Sequence, residues 1–213
     1  MIFELFRNPI QGVALITALV IGLTFHEYAH AWWANHLGDD TAARLGRLTL
    51  NPIKHLDPLG SLMMLLVGFG WAKPVPVNGW RLTRQGMLQV ALAGPVSNMI
   101  LATIAALGAR ALSASDGRWP TFVASFLLFF ALLNLFLAFF NLIPVAPLDG
   151  WKVLMGLVPA SRAEWLAQYE RYGPIVLLIV ILMGRNGTFD IFSWLVQAPA
   201  QWILRLLAGP AIA

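Results

Sequence analysis

Apolar runs separated by short polar stretches set the pattern of this chain: five lie at roughly 9–37, 86–112, 120–146, 172–184 and 189–208, with a shorter one at 59–72. A helix of about 20 apolar residues crosses the hydrocarbon core of a bilayer. The runs therefore predict an all-α polytopic membrane protein with about five transmembrane helices. Leu59 to Gly70 gives only 12 residues, about 18 Å of helix at ~1.5 Å per residue, too short to cross. That segment is expected to be re-entrant or peripheral. The first run opens after Arg7-Asn8-Pro9 and stops at Gly38, a residue suited to the position after a helix C-terminus. Arg47 to Asn51 alternates polar and apolar residues and predicts a short strand. The proline-rich stretch 70–78 predicts an extended edge or loop, so a small β-strand or hairpin element is expected beside the helices.

Composition strengthens the membrane reading. Of 213 residues, 59% are hydrophobic and 11% charged, and the mean hydropathy is +0.72, beyond what a soluble core of this size needs. A single domain over 1–213 accounts for nearly every residue. Met1 to Asn8 lacks a strong basic region, so the first run is expected to stay in the mature chain rather than be cleaved as a leader. The formal charge of +4 comes from Lys and Arg scattered among loops, with no basic aromatic face, which argues against nucleic acid. Cysteine is absent, so any metal must be held by His, Asp or Glu.

Within the first run sits His26-Glu27-Tyr28-Ala29-His30, and no other ionisable side chain occurs from Pro9 until His36. Ionisable groups in a membrane span are expensive and mark working sites. Four residues apart on a helix, His26 and His30 share one face, with Glu27 about 100° round. That spacing lets two imidazoles hold a zinc ion while the carboxylate acts as general base on an activated water. The competing readings are a chance match, since a five-residue pattern with two free positions recurs without zinc, and a di-iron or haem site. The latter would need further Glu or His in the other spans, which are missing.

A third ligand is required. His36 has the spacing of an extended zinc motif, but that motif needs a helix-breaking glycine where this chain has Trp33. A continuing helix would leave His36 roughly 240° from His30. Asp149 is the stronger candidate: it is the only carboxylate between Asp116 and Glu164 and follows a backbone opened by Pro144 and Pro147. Alone, Asn141 to Gly150 could equally be a capped helix exit. Taken with the first motif, it resembles the site-2 protease family of intramembrane zinc metalloproteases, which pairs H-E-x-x-H on one membrane helix with N-x-x-P-x-x-x-L-D-G on another.

The resemblance extends to about residue 155 and includes Leu50-Asn51-Pro52, the 70–78 stretch and the Ala-Gly-Pro-x-x-Asn element ending at Asn98. It implies a catalytic core over about 9–155 and C-terminal transmembrane segments over about 172–208. It also implies Zn²⁺ held by His26, His30 and Asp149, Glu27 as catalytic base, and Asn141 in contact with substrate. Asn98 would be a further substrate contact, or instead an interhelical hydrogen bond. The chain lacks the extra leading span of many relatives and shows no PDZ-like or CBS insertion.

His26, His30 and Asp149 can meet only if the first run and the 120–146 run end on the same side of the membrane, so the 59–72 segment cannot cross. With that parity, nine Lys and Arg residues lie on the motif side and Arg7, Arg110, Arg118 and Arg185 on the other. The positive-inside bias then puts the site near the cytoplasmic face of a cell membrane, by its compactness a prokaryotic one, with the N-terminus outside. The expected partners are lipid and transmembrane protein substrates of single-span type. Such a helix must unwind before cleavage, and an extended segment near 47–51 or 73–78 could pair with it, or could merely plug the cavity. A membrane metal-binding scaffold or metal transporter is the rival, although the outer halves of the spans lack the polar path a transporter needs.

Overall fold

The computed structural model describes residues 9–67, 70–113, 118–185 and 192–209. Its helices, in order, are α1 (Pro9–His36), the single turn α2 (Thr41–Arg44), α3 (Pro58–Val67), α4 (Arg84–Ser113), α5 (Arg118–Asn141), α6 (Asp149–Leu157), α7 (Ala160–Ala167), α8 (Gly173–Arg185) and α9 (Ala198–Ala208). A π-helical turn, Ser193–Gln197, leads into α9.

Among the described residues three stretches are long and apolar enough to cross a membrane: Ile10–His36, Arg84–Ser113 and Phe122–Asn141. The expectation of five exceeds what these helices supply. α8 has 13 residues, about 20 Å, and α9 has 11, while part of the intervening apolar run lies outside the described residues. α3, with 10 residues, is as short as expected. The strand foreseen at 47–51 does not form, and the described residues contain no strand, only an isolated antiparallel bridge between Leu56 and Ala72. Side chains take up the backbone groups a strand would have offered to a neighbour. His55 Nε2 donates to the Thr49 carbonyl at 2.7 Å, and Asn51 caps the 3₁₀ turn Pro52–Lys54 through its side-chain oxygen. The 70–78 stretch is extended and unladdered, as its prolines dictate.

α4 packs against both α1 and α5 and touches α6 and α9. In lipid both faces of a helix can be apolar, so residue size decides which face turns inward. On α4 the buried line is Ala91, Gly94, Asn98, Ala102, Ala105, Ala106 and Ala109, while Val96, Ile100, Ile104 and Leu107 are exposed at 47%, 54%, 65% and 48%. Small residues let backbones approach where no water is left to expel. On α1, Gly22 serves the same end, because a Cβ there would stand 2.9 Å from both Asn134 Oδ1 and Leu137 Cδ1 of α5.

Beyond the end of α1, polar side chains tie the 73–81 stretch down. Arg47 is buried and donates to the carbonyls of Lys73 at 2.6 Å and Pro74 at 3.3 Å. Asp39, fully buried, accepts the Asn78 amide at 2.7 Å and the Thr41 amide at 3.1 Å. Asp40 pairs with Arg44 and with Arg81. Burial alone would raise the pKa of Asp39, but the Thr41 hydroxyl, the Asn78 and Thr41 amides and the charge of Arg81 outweigh it and hold it below its ordinary value. Its contribution is therefore complete above the ordinary aspartate pKa of about 3.9 and fades as pH falls through the lowered folded value.

Replacing Asp39 with Ala leaves buried amides unpaired, at about 1–3 kcal/mol each. We expect limited proteolysis within 73–83 to accelerate severalfold at neutral pH in the variant, and in the wild type only under acid below the ordinary carboxylate range. Equal cleavage rates at neutral pH would show that Asp39 does not anchor the loop.

Candidate metal centre

Each part of the centre is placed by a local feature of the sequence. α1 runs unbroken through His26, Glu27 and His30, so both imidazoles leave the same face, and all three side chains are buried. α4 passes behind them with Gly94 against the rings. A Cβ at Gly94 would lie 2.6 Å from His26 Nε2 and closer still to His30 Nε2. Pro95 follows; it has no amide to give the Ala91 carbonyl, and its ring crowds the turn before it. In that turn the Val90 carbonyl accepts a hydrogen bond from His30 Nδ1 at 2.7 Å.

Asp149 is the first residue of α6 and is buried. The chain reverses between α5 and α6 through Pro144 and a cis Ala146–Pro147 bond, tied by amides of Val145 to Ile143 and of Leu148 to Val145. Gly150 completes the turn because a Cβ there would overlap the carbonyls of Leu142 and Ile143. The Asp-Gly pair is thus a packing requirement that delivers the carboxylate to the imidazoles.

The convergence is close to equilateral. His26 Nε2, His30 Nε2 and Asp149 Oδ2 are separated by 3.1 Å along every edge. Among the described residues they form one three-donor group able to hold a metal ion. His30 Nδ1 faces a main-chain carbonyl and must donate, and His26 Nδ1 faces Asn98 Oδ1 at 2.7 Å. With both Nδ1 atoms protonated and the rings neutral, two lone pairs point at each other and at a carboxylate, an arrangement that a proton on one Nε2 or a bound metal cation satisfies. Donors at about 2.0–2.1 Å around a tetrahedral zinc stand roughly 3.3 Å apart, and a catalytic zinc takes three protein ligands and leaves one position open. The spacing, the N,N,O set and the space left at Gly94 all fit zinc.

Glu27 does not join the triangle by a hydrogen bond. Its Oε2 accepts the Val75 amide at 3.0 Å, so the loop anchored by Arg47 and Asp39 holds the carboxylate. His36 is exposed and stacks on Trp32 with ring centroids 5.5 Å apart; it is not in the three-donor group. Asn141 is half-buried, and its amide donates to Leu137 O of its own helix at 2.9 Å. Asn98, the other expected substrate contact, is fully buried behind His26. Its amide nitrogen donates to Gly22 O at 3.1 Å and to Asn134 Oδ1 at 2.8 Å. Both bonds are interhelical, to α1 and α5.

Sequence reasoning passed over Asn134, Gly94 and the Val75 amide. The signal for Asn134 was present, since an amide in the middle of an apolar span is a polar group without water. Gly94 stands inside the Ala-Gly-Pro-x-x-Asn element. A backbone amide carries no sequence signal.

Comparison with known proteins agrees with this geometry. The model of Peptidase family M50 matches residues 114–184. YwhC of Bacillus subtilis, named as a zinc metalloprotease, is 44% identical over 86% of this chain and 92% of its own. Rip2 of Mycobacterium tuberculosis, likewise named, is 31% identical over 86% of this chain and 73% of its own. The zinc metalloprotease MJ0392 of Methanocaldococcus jannaschii is 23% identical, and the match covers 45% of it. No solved structure matches. With such a relative matched along almost its whole length, and with a zinc-ready triangle among its membrane helices, the chain belongs to peptidase family M50, the site-2 protease family of zinc metalloendopeptidases.

Proposed function

We propose that this zinc metalloendopeptidase hydrolyses a peptide bond within or beside the transmembrane segment of a membrane protein, as in regulated intramembrane proteolysis. The observation that carries the reading is the 3.1 Å triangle of His26, His30 and Asp149 donors within a bundle of membrane-spanning helices. These three residues hold the zinc. When bound, zinc supplies a Lewis acid for the scissile carbonyl and a water acidic enough to attack near neutral pH.

Glu27, adjacent in sequence to one ligand, takes the proton from the attacking water and passes it to the leaving amine. The Val75 amide holds one of its oxygens and leaves the other for this work. Asn141, at the end of α5, reaches a substrate carbonyl by rotating its amide away from Leu137 O. The extended 73–78 backbone beside Glu27 offers edge groups to which an unwound substrate segment pairs.

The three crossings α1, α4 and α5 bring His30 and Asp149 to one side of the bilayer. On that side lie the Lys- and Arg-rich loops, so the site opens near the cytoplasmic face of a cell membrane. The C-terminal segments 172–184 and 189–208 supply two further, short crossings, and the bilayer thins locally to accommodate them. The substrates are transmembrane proteins of single-span type.

Purified Glu27→Gln is expected to keep its zinc and lose at least a hundredfold in cleavage of single-span test substrates. Asp149→Ala is expected to lose the metal. Undiminished cleavage by Glu27→Gln contradicts the role of Glu27, and a wild type that holds zinc yet cleaves nothing in a broad panel turns the reading towards a metal-binding scaffold.

Gly94→Ala supplies a separate check, because the added methyl occupies the space between the imidazoles and α4. Zinc occupancy should fall at least tenfold while the helical circular dichroism is unchanged. Full occupancy would mean that the donors do not meet the metal at Gly94.

A further inference from the structure

Behind His26 a line of amides crosses the three membrane helices. Phe130 O accepts the Asn134 amide nitrogen at 2.9 Å. Asn134 Oδ1 accepts that of Asn98 at 2.8 Å, and Asn98 Oδ1 faces His26 Nδ1 at 2.7 Å. The second hydrogen of the Asn98 amide goes to Gly22 O at 3.1 Å. Asn98 and Asn134 are both fully buried.

A side-chain amide can face either way, whereas a main-chain carbonyl only accepts. Phe130 O therefore fixes Asn134 with its oxygen towards Asn98. Gly22 O requires the Asn98 nitrogen on that side, and Asn134 Oδ1 is the second acceptor there, so both keep the Asn98 oxygen towards His26. A neutral His26 then carries its hydrogen on Nδ1, which leaves Nε2 as a lone pair aimed into the donor triangle. The opposite tautomer would place a hydrogen where the metal belongs. In a histidine ligand, the hydrogen bond made by the other ring nitrogen selects the tautomer.

We propose that Asn134 is a positioning residue for the metal centre: together with Gly22 O it holds Asn98 with its oxygen towards His26, and so favours the metal-binding tautomer of that ring. This rests on the reading of His26 Nε2 as a zinc ligand. An amide at this depth also serves as an interhelical tie, and the test separates that role from positioning. The bundle accommodates the amide, because Gly22 leaves room for Asn134 Oδ1 where a Cβ would stand 2.9 Å away. His30 provides an internal control, since its Nδ1 is fixed directly by Val90 O and owes nothing to Asn134.

The test compares wild type, Asn134→Leu and Asn134→Asp. Metal-free protein labelled with ¹⁵N-histidine reports the tautomer of each ring, and competition with a chelator reports the zinc dissociation constant. In the wild type both His26 and His30 should be protonated at Nδ1. In Asn134→Leu, His26 should become a mixture of tautomers while His30 is unchanged, and zinc affinity should fall about 10- to 100-fold, as is usual when the partner of a ligand is lost. Asn134→Asp should restore both, because its buried carboxylic acid can donate to Phe130 O and offer its carbonyl oxygen to Asn98.

Wild-type tautomer and affinity in Asn134→Leu overturn the proposal. So does equal weakening in both variants with His26 unaltered, which would make Asn134 a packing residue only. Wild type that binds no zinc but shows the expected tautomers removes the ligand reading and leaves the amide relay standing. A His26 mixture in the metal-free wild type removes the relay itself.

Discussion

Two imidazole lone pairs and a carboxylate held 3.1 Å apart repel one another, and here they do so inside a bundle of membrane helices. Each group has given up water to be there, and with both rings neutral no hydrogen lies between them to relieve the repulsion. Such an arrangement persists only if the surrounding structure enforces it and a cation repays it. Much of the local architecture can be read as that enforcement. Gly94 leaves the space, Gly150 lets the chain turn Asp149 inward, and the Val90 carbonyl and the Asn98 amide hold the outer edges of the two rings. α1, α4 and α6 meet there because the centre takes donors from α1 and α6 and hydrogen-bond partners and clearance from α4.

The same requirement explains the polar cap over the end of α1. Glu27 is buried beside the metal-binding face, and an unpaired buried carboxylate is costly. It is paired with the Val75 amide, on a stretch whose carbonyls are held by Arg47 and whose far end is held by Asp39. The loop is thus a support for the Glu27 carboxylate. Its prolines keep it extended without a ladder, so its edge groups are not consumed by a sheet.

How much of this could be read in advance depended on what lipid does to sequence signals. His26, Glu27, His30 and Asp149 were legible because ionisable groups stand out in apolar runs. That the 59–72 segment is too short to cross followed from length alone, and α3 has 10 residues. Hydropathy could not show which face of α4 turns inward, because Ile100 and Ala102 are both apolar; size carried that information. Nor did it fix the number of crossings, since the C-terminal apolar runs form short helices among the described residues. Asn134 was visible as a polar residue in a span, but its partners lie on other helices. The strand expected at 47–51 failed because alternation signals a strand only where a neighbour exists, and here His55 and Asn51 bond the backbone instead.

The claim on which the rest depends is that one zinc ion sits between His26, His30 and Asp149. X-ray absorption at the zinc edge of the purified protein tests it most directly. The account predicts a shell of nitrogen and oxygen donors at about 2.0–2.1 Å, with outer-shell scattering from two imidazoles, falling to one in His30→Ala. A three-imidazole signature, or a spectrum unaltered by His30→Ala, would place the metal elsewhere and contradict it.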